Sequence, residues 1–256
     1  MPSLRLSTRL LFGLLGLGFT LQCQAGLVEI VAKAKHSVAA VGIYNLLRSP
    51  RFGFRGTGFV VGDGNLLITN AHVLPEAGSD DSKSGLMLQL ATAAGSLEMR
   101  PATVAALDRD HDLALLRFGG SPLPVLSIAD TQGIHEGLSV AFIGFPIGGV
   151  LGFTPVTHRG IISSVTPIVL PAPTARQLDP KTVARLRRGS FDVYQLDATA
   201  YPGNSGGPVF NQQTGEVVGV INMVLIRGLK ESALSQPTGI SYAIPIQYVR
   251  KLLAAQ

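Results

Sequence analysis

The chain has 256 residues, 46% of them apolar and 14% charged, with a formal net charge of +5. That length and apolar content suit one large domain or two small β-barrels sharing an interface, able to fold without a cofactor. The mild positive charge leaves no footprint for a nucleic-acid partner.

Thirty glycines and 16 prolines punctuate the chain every few residues, a balance that favours short strands and turns and makes all-β the expected class. The first 25 residues stand apart. Arg5 and Arg9 precede an apolar run from Leu10 to Leu21 that ends in Cys23-Gln24-Ala25, the order of a secretory signal with cleavage after Ala25. The run is about a dozen residues against the roughly 20 needed to span a bilayer, so a retained anchor is the weaker alternative and no stable membrane span is expected after cleavage. A lipoprotein at Cys23 is disfavoured by the large Gln22 before it.

With Ala25 as the last residue of the signal, the single cysteine leaves with it, and cysteine chemistry is excluded from the mature chain. Losing Arg5 and Arg9 leaves 19 basic against 16 acidic side chains, a formal +3. The bacterial periplasm is the expected location, with full secretion as the alternative.

After the signal, Leu27, Ile30, Val31 and Ala34 recur at helical spacing and predict a short amphipathic helix before the first barrel. Strand candidates follow at Val38 to Tyr44, Gly58 to Val61, Asn65 to Thr69, Leu86 to Leu90, Leu97 to Ala105 and Leu113 to Phe118, with Gly62-Asp63-Gly64 as a hairpin signal. A proline-containing connection, Gly119 to Asp130, precedes a second set: Ser139 to Gly144, Thr157 to Val165, Val193 to Leu196, Pro208 to Phe210, Val217 to Val224 and Gly239 to Ile244. Two sets of six predict two barrels, about 36–120 and 131–245. Pro245 opens a last helix, about 246–255, carried by Ile246, Val249, Leu252 and Leu253, with Arg250 and Lys251 late where they suit the helix dipole.

Three segments carry chemistry. Gly203-Asn204-Ser205-Gly206-Gly207-Pro208 places a serine between glycines, where the backbone turns tightly and its amides converge, making Gly203, Asn204 and Ser205 the expected oxyanion hole. Leu67-Ile68-Thr69-Asn70-Ala71-His72-Val73 puts a histidine just past an apolar strand. Asp112 stands directly against the apolar run Leu113 to Leu116, where a carboxylate needs a partner to offset its desolvation, and an imidazole N–H is a suitable one. Together these supply an alcohol nucleophile, a base of near-neutral pKa and an acid that fixes the base's tautomer, in the chain order His72, Asp112, Ser205 of the chymotrypsin clan. His36, His111, His135 and His158 lack metal-ligand spacing, so no metal site is expected; His158 begins a strand that borders either the cleft or the surface.

At these residues the chain resembles the HtrA (high-temperature-requirement A) serine proteases of trypsin-like fold. Thr69-Asn70-Ala71-His72-Val73, Asp112-Leu113-Ala114-Leu115-Leu116 and Gly203-Asn204-Ser205-Gly206-Gly207-Pro208 look like the family's three motifs. Supporting likeness lies in Gly56-Thr57-Gly58-Phe59, Ile143-Gly144-Phe145-Pro146, Gly160-Ile161-Ile162-Ser163, Asp197-Ala198 and Gly239-Ile240-Ser241-Tyr242-Ala243-Ile244-Pro245. The resemblance implies a chymotrypsin-like double six-stranded β-barrel, hydrolysis of peptide bonds in polypeptide substrates and no cofactor. It also carries self-association as a homo-oligomer, often through the region before the first barrel, which here is only Leu27 to Lys35. By resemblance the floor of the S1 pocket is Thr199 and its walls come from Val220, Ile221, Asn222 and Met223. No acid sits there, which argues against cleavage after Arg or Lys and for small or medium aliphatic residues.

Two departures accompany the likeness. The family commonly carries a peptide-binding PDZ domain after the protease, whereas this sequence reaches Gln256 just past its last helix, and a protease domain alone is expected. The stretch from Pro171 to Phe191, with Arg176, Lys181, Arg185, Arg187 and Arg188, is longer than a tight turn and reads either as a regulatory loop or as a solvated excursion. The competing function is a latent or inactive protease shell serving as a cell-envelope chaperone or binding protein.

Overall fold

The computed structural model describes residues 26–75, 85–91, 96–146, 148, 152–167, 191–222 and 239–255. The predicted signal segment, Met223 and all of the basic stretch except Phe191 lie outside them. Helix α1 (Leu27–Ala34) leads into twelve strands: β1 (Val38–Tyr44), β2 (Phe52–Val61), β3 (Leu66–Asn70), β4 (Gly85–Ala91), β5 (Leu97–Asp108) and β6 (Leu113–Phe118), then β7 (Ser139–Gly144), β8 (Val156–Pro167), β9 (Asp192–Asp197), β10 (Pro208–Asn211), β11 (Val217–Ile221) and β12 (Ile240–Pro245), with helix α2 (Ile246–Ala254) last.

The strands close into two antiparallel barrels, β1-β2-β3-β6-β5-β4 and β10-β11-β12-β9-β8-β7. Counted from its own first strand, the second barrel repeats the ring order of the first, so one topology is built twice.

The apolar runs of β3, β6 and β11 are buried on both faces, which is why they do not alternate with polar residues. In β3 and β6, Leu67, Ala114 and Leu116 point into the first barrel with Val41, Val60 and Leu88. Their neighbours Ile68, Leu113 and Leu115 point the other way, into a core shared with Ala141, Ile143, Phe210, Val217, Val220 and Ile244 of the second barrel. Val140, Phe142, Leu196, Val209 and Ile221 fill the second barrel itself. Both helices close the shared core with Ile30 and Ala34 from α1 and Ile246 and Val249 from α2. The connection between barrels is stapled to each, Leu126 N–H donating to Val60 C=O at 3.0 Å and Ala129 N–H to Val217 C=O at 3.0 Å.

β2 begins at Phe52, six residues before the predicted start at Gly58, because Gly53, Arg55 and Gly56 mask its pattern. Arg55 belongs in the strand for a local reason: its guanidinium donates to the carbonyls of Val73 (2.6 Å) and Leu74 (3.0 Å), tying β2 to the turn after β3.

Candidate active site

The pairing of β3 with β6 sets the histidine beside the acid. Asn70 opposes Leu113 at the end of that ladder, so the residues just beyond the pair, His72 on one strand and Asp112 on the other, come together. Ala71 N–H continues the ladder to Asp112 C=O at 3.1 Å, and the Asn70 side-chain amide donates to the same carbonyl at 3.0 Å. His72 lies in a short 3-10 turn, Ala71–Val73.

The Asp112 carboxylate is fully engaged. Oδ1 accepts the His72 backbone N–H at 2.9 Å, and Oδ2 lies 2.6 Å from His72 Nδ1. A carboxylate only accepts, so the imidazole carries its proton on Nδ1, which leaves Nε2 as its acceptor nitrogen. Oδ2 also accepts from Asn222 Nδ2 at 2.7 Å, a contact from the end of β11 in the other barrel. Three donors offset the cost of placing this charge at a barrel edge.

Ser205 is anchored from the first barrel, its carbonyl accepting Thr57 N–H at 2.8 Å. Ahead of it, Tyr201-Pro202-Gly203-Asn204 has the features of a type II turn: Asn204 N–H donates to Tyr201 C=O at 3.0 Å, proline is second and glycine third, with φ +101°. Thr57 Oγ donates to the Gly203 carbonyl at 2.7 Å and accepts Phe145 N–H at 3.2 Å, locking the turn against both barrels. Gly206 has φ +87°, and a side chain on it would drive into the Thr57 carbonyl and the Thr69 hydroxyl.

The expected site residues fall into different places. His72 and Asp112 meet, and Gly203, in the turn, and Ser205, just after it, are both held by Thr57 of the first barrel. Asn204 is not an oxyanion donor: its amide is spent on Tyr201, and its buried side chain points inward, Nδ2 lying 3.4 Å from His158 Nε2. His158 is half-buried, stacks on Phe142 at 4.7 Å and stands 5.8 Å from the Tyr201 ring; burial lowers its pKa and favours the neutral imidazole that accepts from Asn204. Of the expected S1 walls, Val220 packs in the shared core and Ile221 inside the second barrel, both fully buried, and Asn222 is turned onto Asp112. They are packing and positioning residues because β11 is covered on both faces. Thr199 is half-buried, its segment held by the buried Ser241, whose Oγ donates to Ala198 C=O at 2.7 Å and accepts Ala200 N–H at 2.9 Å.

Sequence reading passed over Thr57, Ser241 and the contact of Asn222 with the acid. Ser241 and Asn222 stand in otherwise apolar strands, the one local sign that their polar groups have partners. Among the described residues no group of three His, Cys, Asp or Glu side chains is arranged to hold a metal, and no helix is long and apolar enough to cross a membrane.

Comparisons with known proteins agree with this architecture. The model of the trypsin-like peptidase domain matches residues 56–220. Serine protease HTRA3 of Rattus norvegicus is 30% identical over 234 residues, covering 89% of this chain and 44% of the relative. Mitochondrial serine protease HTRA2 of Drosophila persimilis is 32% identical over 198 residues, covering 77% and 38%. The chain thus spans less than half the length of these curated relatives. The crystal structure of Deg5 superposes with a TM-score of 0.62 at 23% identity over 88% of this chain and 90% of that one, and an HtrA-type protease solved with a tripeptide with 0.61 at 23% over 90% and 63%. From its twin six-stranded barrels and this matched domain, the chain belongs to the trypsin-like peptidases of the HtrA type.

Proposed function

We propose that the protein is a serine endopeptidase in which Ser205 is the nucleophile, His72 the general base and Asp112 the acid that orients the histidine. The observation that carries this reading is the 2.6 Å contact of His72 Nδ1 with Asp112 Oδ2, at the same junction of the barrels where Thr57 fixes Ser205.

His72 Nε2 takes the Ser205 hydroxyl proton as Oγ attacks a peptide carbonyl, then gives it to the leaving amine; water repeats the cycle to release the acyl group. Asp112 stays ionised and stabilises the imidazolium that forms. The amides of Gly203 and Ser205 receive the developing oxyanion, each donor worth about 2.7–4 kcal/mol in enzymes where it has been removed. The type II turn supports this role for Gly203, because the turn's own bond uses the Asn204 amide instead.

Polypeptides are the substrates, in keeping with the related protease solved with a tripeptide. Thr199 gives a neutral pocket floor, favouring small or aliphatic residues on the acyl side of the scissile bond. Export to the bacterial periplasm completes the reading, supported by Arg5, Arg9 and the apolar run to Leu21; fractionation that leaves the chain in the cytoplasm removes that part of it.

The test is a fluorophosphonate probe on wild type and Ser205→Ala, with the adduct located by mass spectrometry. Labelling at Ser205 that vanishes in the variant supports an assembled triad. A folded wild type that stays unlabelled and cleaves no unfolded protein refutes it in favour of a binding shell.

A further inference from the structure

Asp112 is held in a conformation that its own backbone disfavours. Its φ is +54°, and among the described residues it is the only non-glycine with positive φ. Such a residue persists only where its surroundings enforce it.

The four residues leading into it, Asp108 to His111, are gathered by one side chain. Asp108, which ends β5, accepts at Oδ1 the backbone N–H groups of Asp110 and His111, each at 3.1 Å. Its Oδ2 lies 2.6 Å from His111 Nδ1. Acceptance by a carboxylate again puts the imidazole proton on Nδ1. On its far side the His111 ring is gripped by aromatic residues: Tyr248 of α2 stacks on it at 4.0 Å and 20°, and Phe191, just before β9, meets it edge-on at 4.9 Å and 72°. Phe191 and Tyr248 also touch, at 5.4 Å. The next residue in the chain is the acid that holds His72.

We propose that Asp108 and His111 are a positioning pair for Asp112. The Nδ1–H···Oδ2 bond closes the loop between β5 and β6 and fixes the backbone conformation from which Asp112 faces His72. The aromatic grip makes α2 and the start of β9 part of the acid's support. Neither residue touches a reacting atom, so neither is catalytic. This assignment rests on the triad reading above, and the experiment separates the two.

His111→Phe keeps a ring for Tyr248 and removes the donor, while His111→Asn gives up the ring and keeps an N–H near the Nδ1 position. Each is made in the full chain and compared with wild type in peptide cleavage and in the downfield proton resonance of His72 Nδ1–H. His111→Phe is expected to lower kcat about 10- to 100-fold with KM nearly unchanged, the scale of a small misplacement near the chemistry, and to shift or broaden the His72 resonance. His111→Asn is expected to recover most of kcat. Wild-type kcat and an unmoved resonance in His111→Phe overturn the proposal, as does a His111→Asn variant no better than His111→Phe, which leaves ring packing as the whole effect. Should His111→Phe not fold, Asp108→Ala removes the acceptor and leaves the rings in place, with the same drop expected and wild-type kcat overturning the pair. If the wild type itself neither cleaves nor takes a fluorophosphonate, the triad reading fails, while the His72 resonance still reports on the clamp without turnover.

Discussion

Asn222→Asp puts the Asp112 environment under direct strain. The exchange keeps shape and volume, so it opens no cavity, but it sets a second carboxylate where an amide now donates at 2.7 Å to Asp112 Oδ2. With charge centres about 4 Å apart, the repulsion is about 4 kcal/mol at an effective dielectric constant near 20, equivalent to roughly three pKa units. The pair therefore takes up one proton, and one carboxyl has its folded pKa raised from about 4 to about 7. The folded state then holds a proton that the unfolded chain releases, so stability is kept below pH 4 and lost as pH rises toward 7. Urea unfolding at pH 5 and pH 8 should show the variant losing about 2 to 3 kcal/mol more than wild type between the two. Its kcat/KM relative to wild type should fall over the same range. Parallel pH dependence of stability in the two proteins refutes the reasoning, since it means that the Asn222 amide does not sit on the acid.

Thr57→Val keeps the shape of the side chain but strips the Gly203 carbonyl of its donor and the Phe145 amide of its acceptor; each group so left buried costs about 1–3 kcal/mol, and urea unfolding is expected to show the sum with a lowered rate of Ser205 labelling. Gly206→Ala forces a Cβ into the Thr57 carbonyl at a positive φ, and a loss of roughly 3 kcal/mol or more should appear as a lower melting temperature. His158→Phe tests the one active-site imidazole whose pKa burial depresses. In wild type the unfolded chain binds a proton there near pH 6.5 that the folded state refuses, so stability falls as pH drops below that value; the variant should show a flatter decline from pH 7 to pH 5, and identical slopes count against the assignment.

The twelve strands were legible because most are apolar runs bounded by glycine, proline or charge. The exceptions follow from packing. Phe52 to Gly56 hides in the sequence because Arg55 belongs to β2 through carbonyls 18 and 19 residues away. The candidate residues Ser205, His72 and Asp112 stood out in the sequence because each sits in a short local motif. Their supports were not: Asn222 reaches Asp112 across 110 residues and Thr57 reaches Gly203 across 146, contacts that exist only once the barrels dock. Val220 and Ile221 were assigned to a pocket by resemblance, but a strand covered on both faces leaves them no open side.

The meeting of His72 with Asp112 is a matter of strand register, and the register is fixed by the cores more than by the site. Asn70 opposes Leu113 and Ile68 opposes Leu115. A slip of one residue in β6 would turn Leu113 and Leu115 into the first barrel and expose Ala114 and Leu116 to the shared core, exchanging small for large side chains on both sides at once. It would also carry Asp112 away from the end of β3 by a residue's rise, about 3.3 Å, well beyond the reach of a hydrogen bond now 2.6 Å long. Two differently shaped cores, one inside the barrel and one between the barrels, therefore oppose the same error, and a mutation that fills or empties either of them acts on the acid–base pair without touching it.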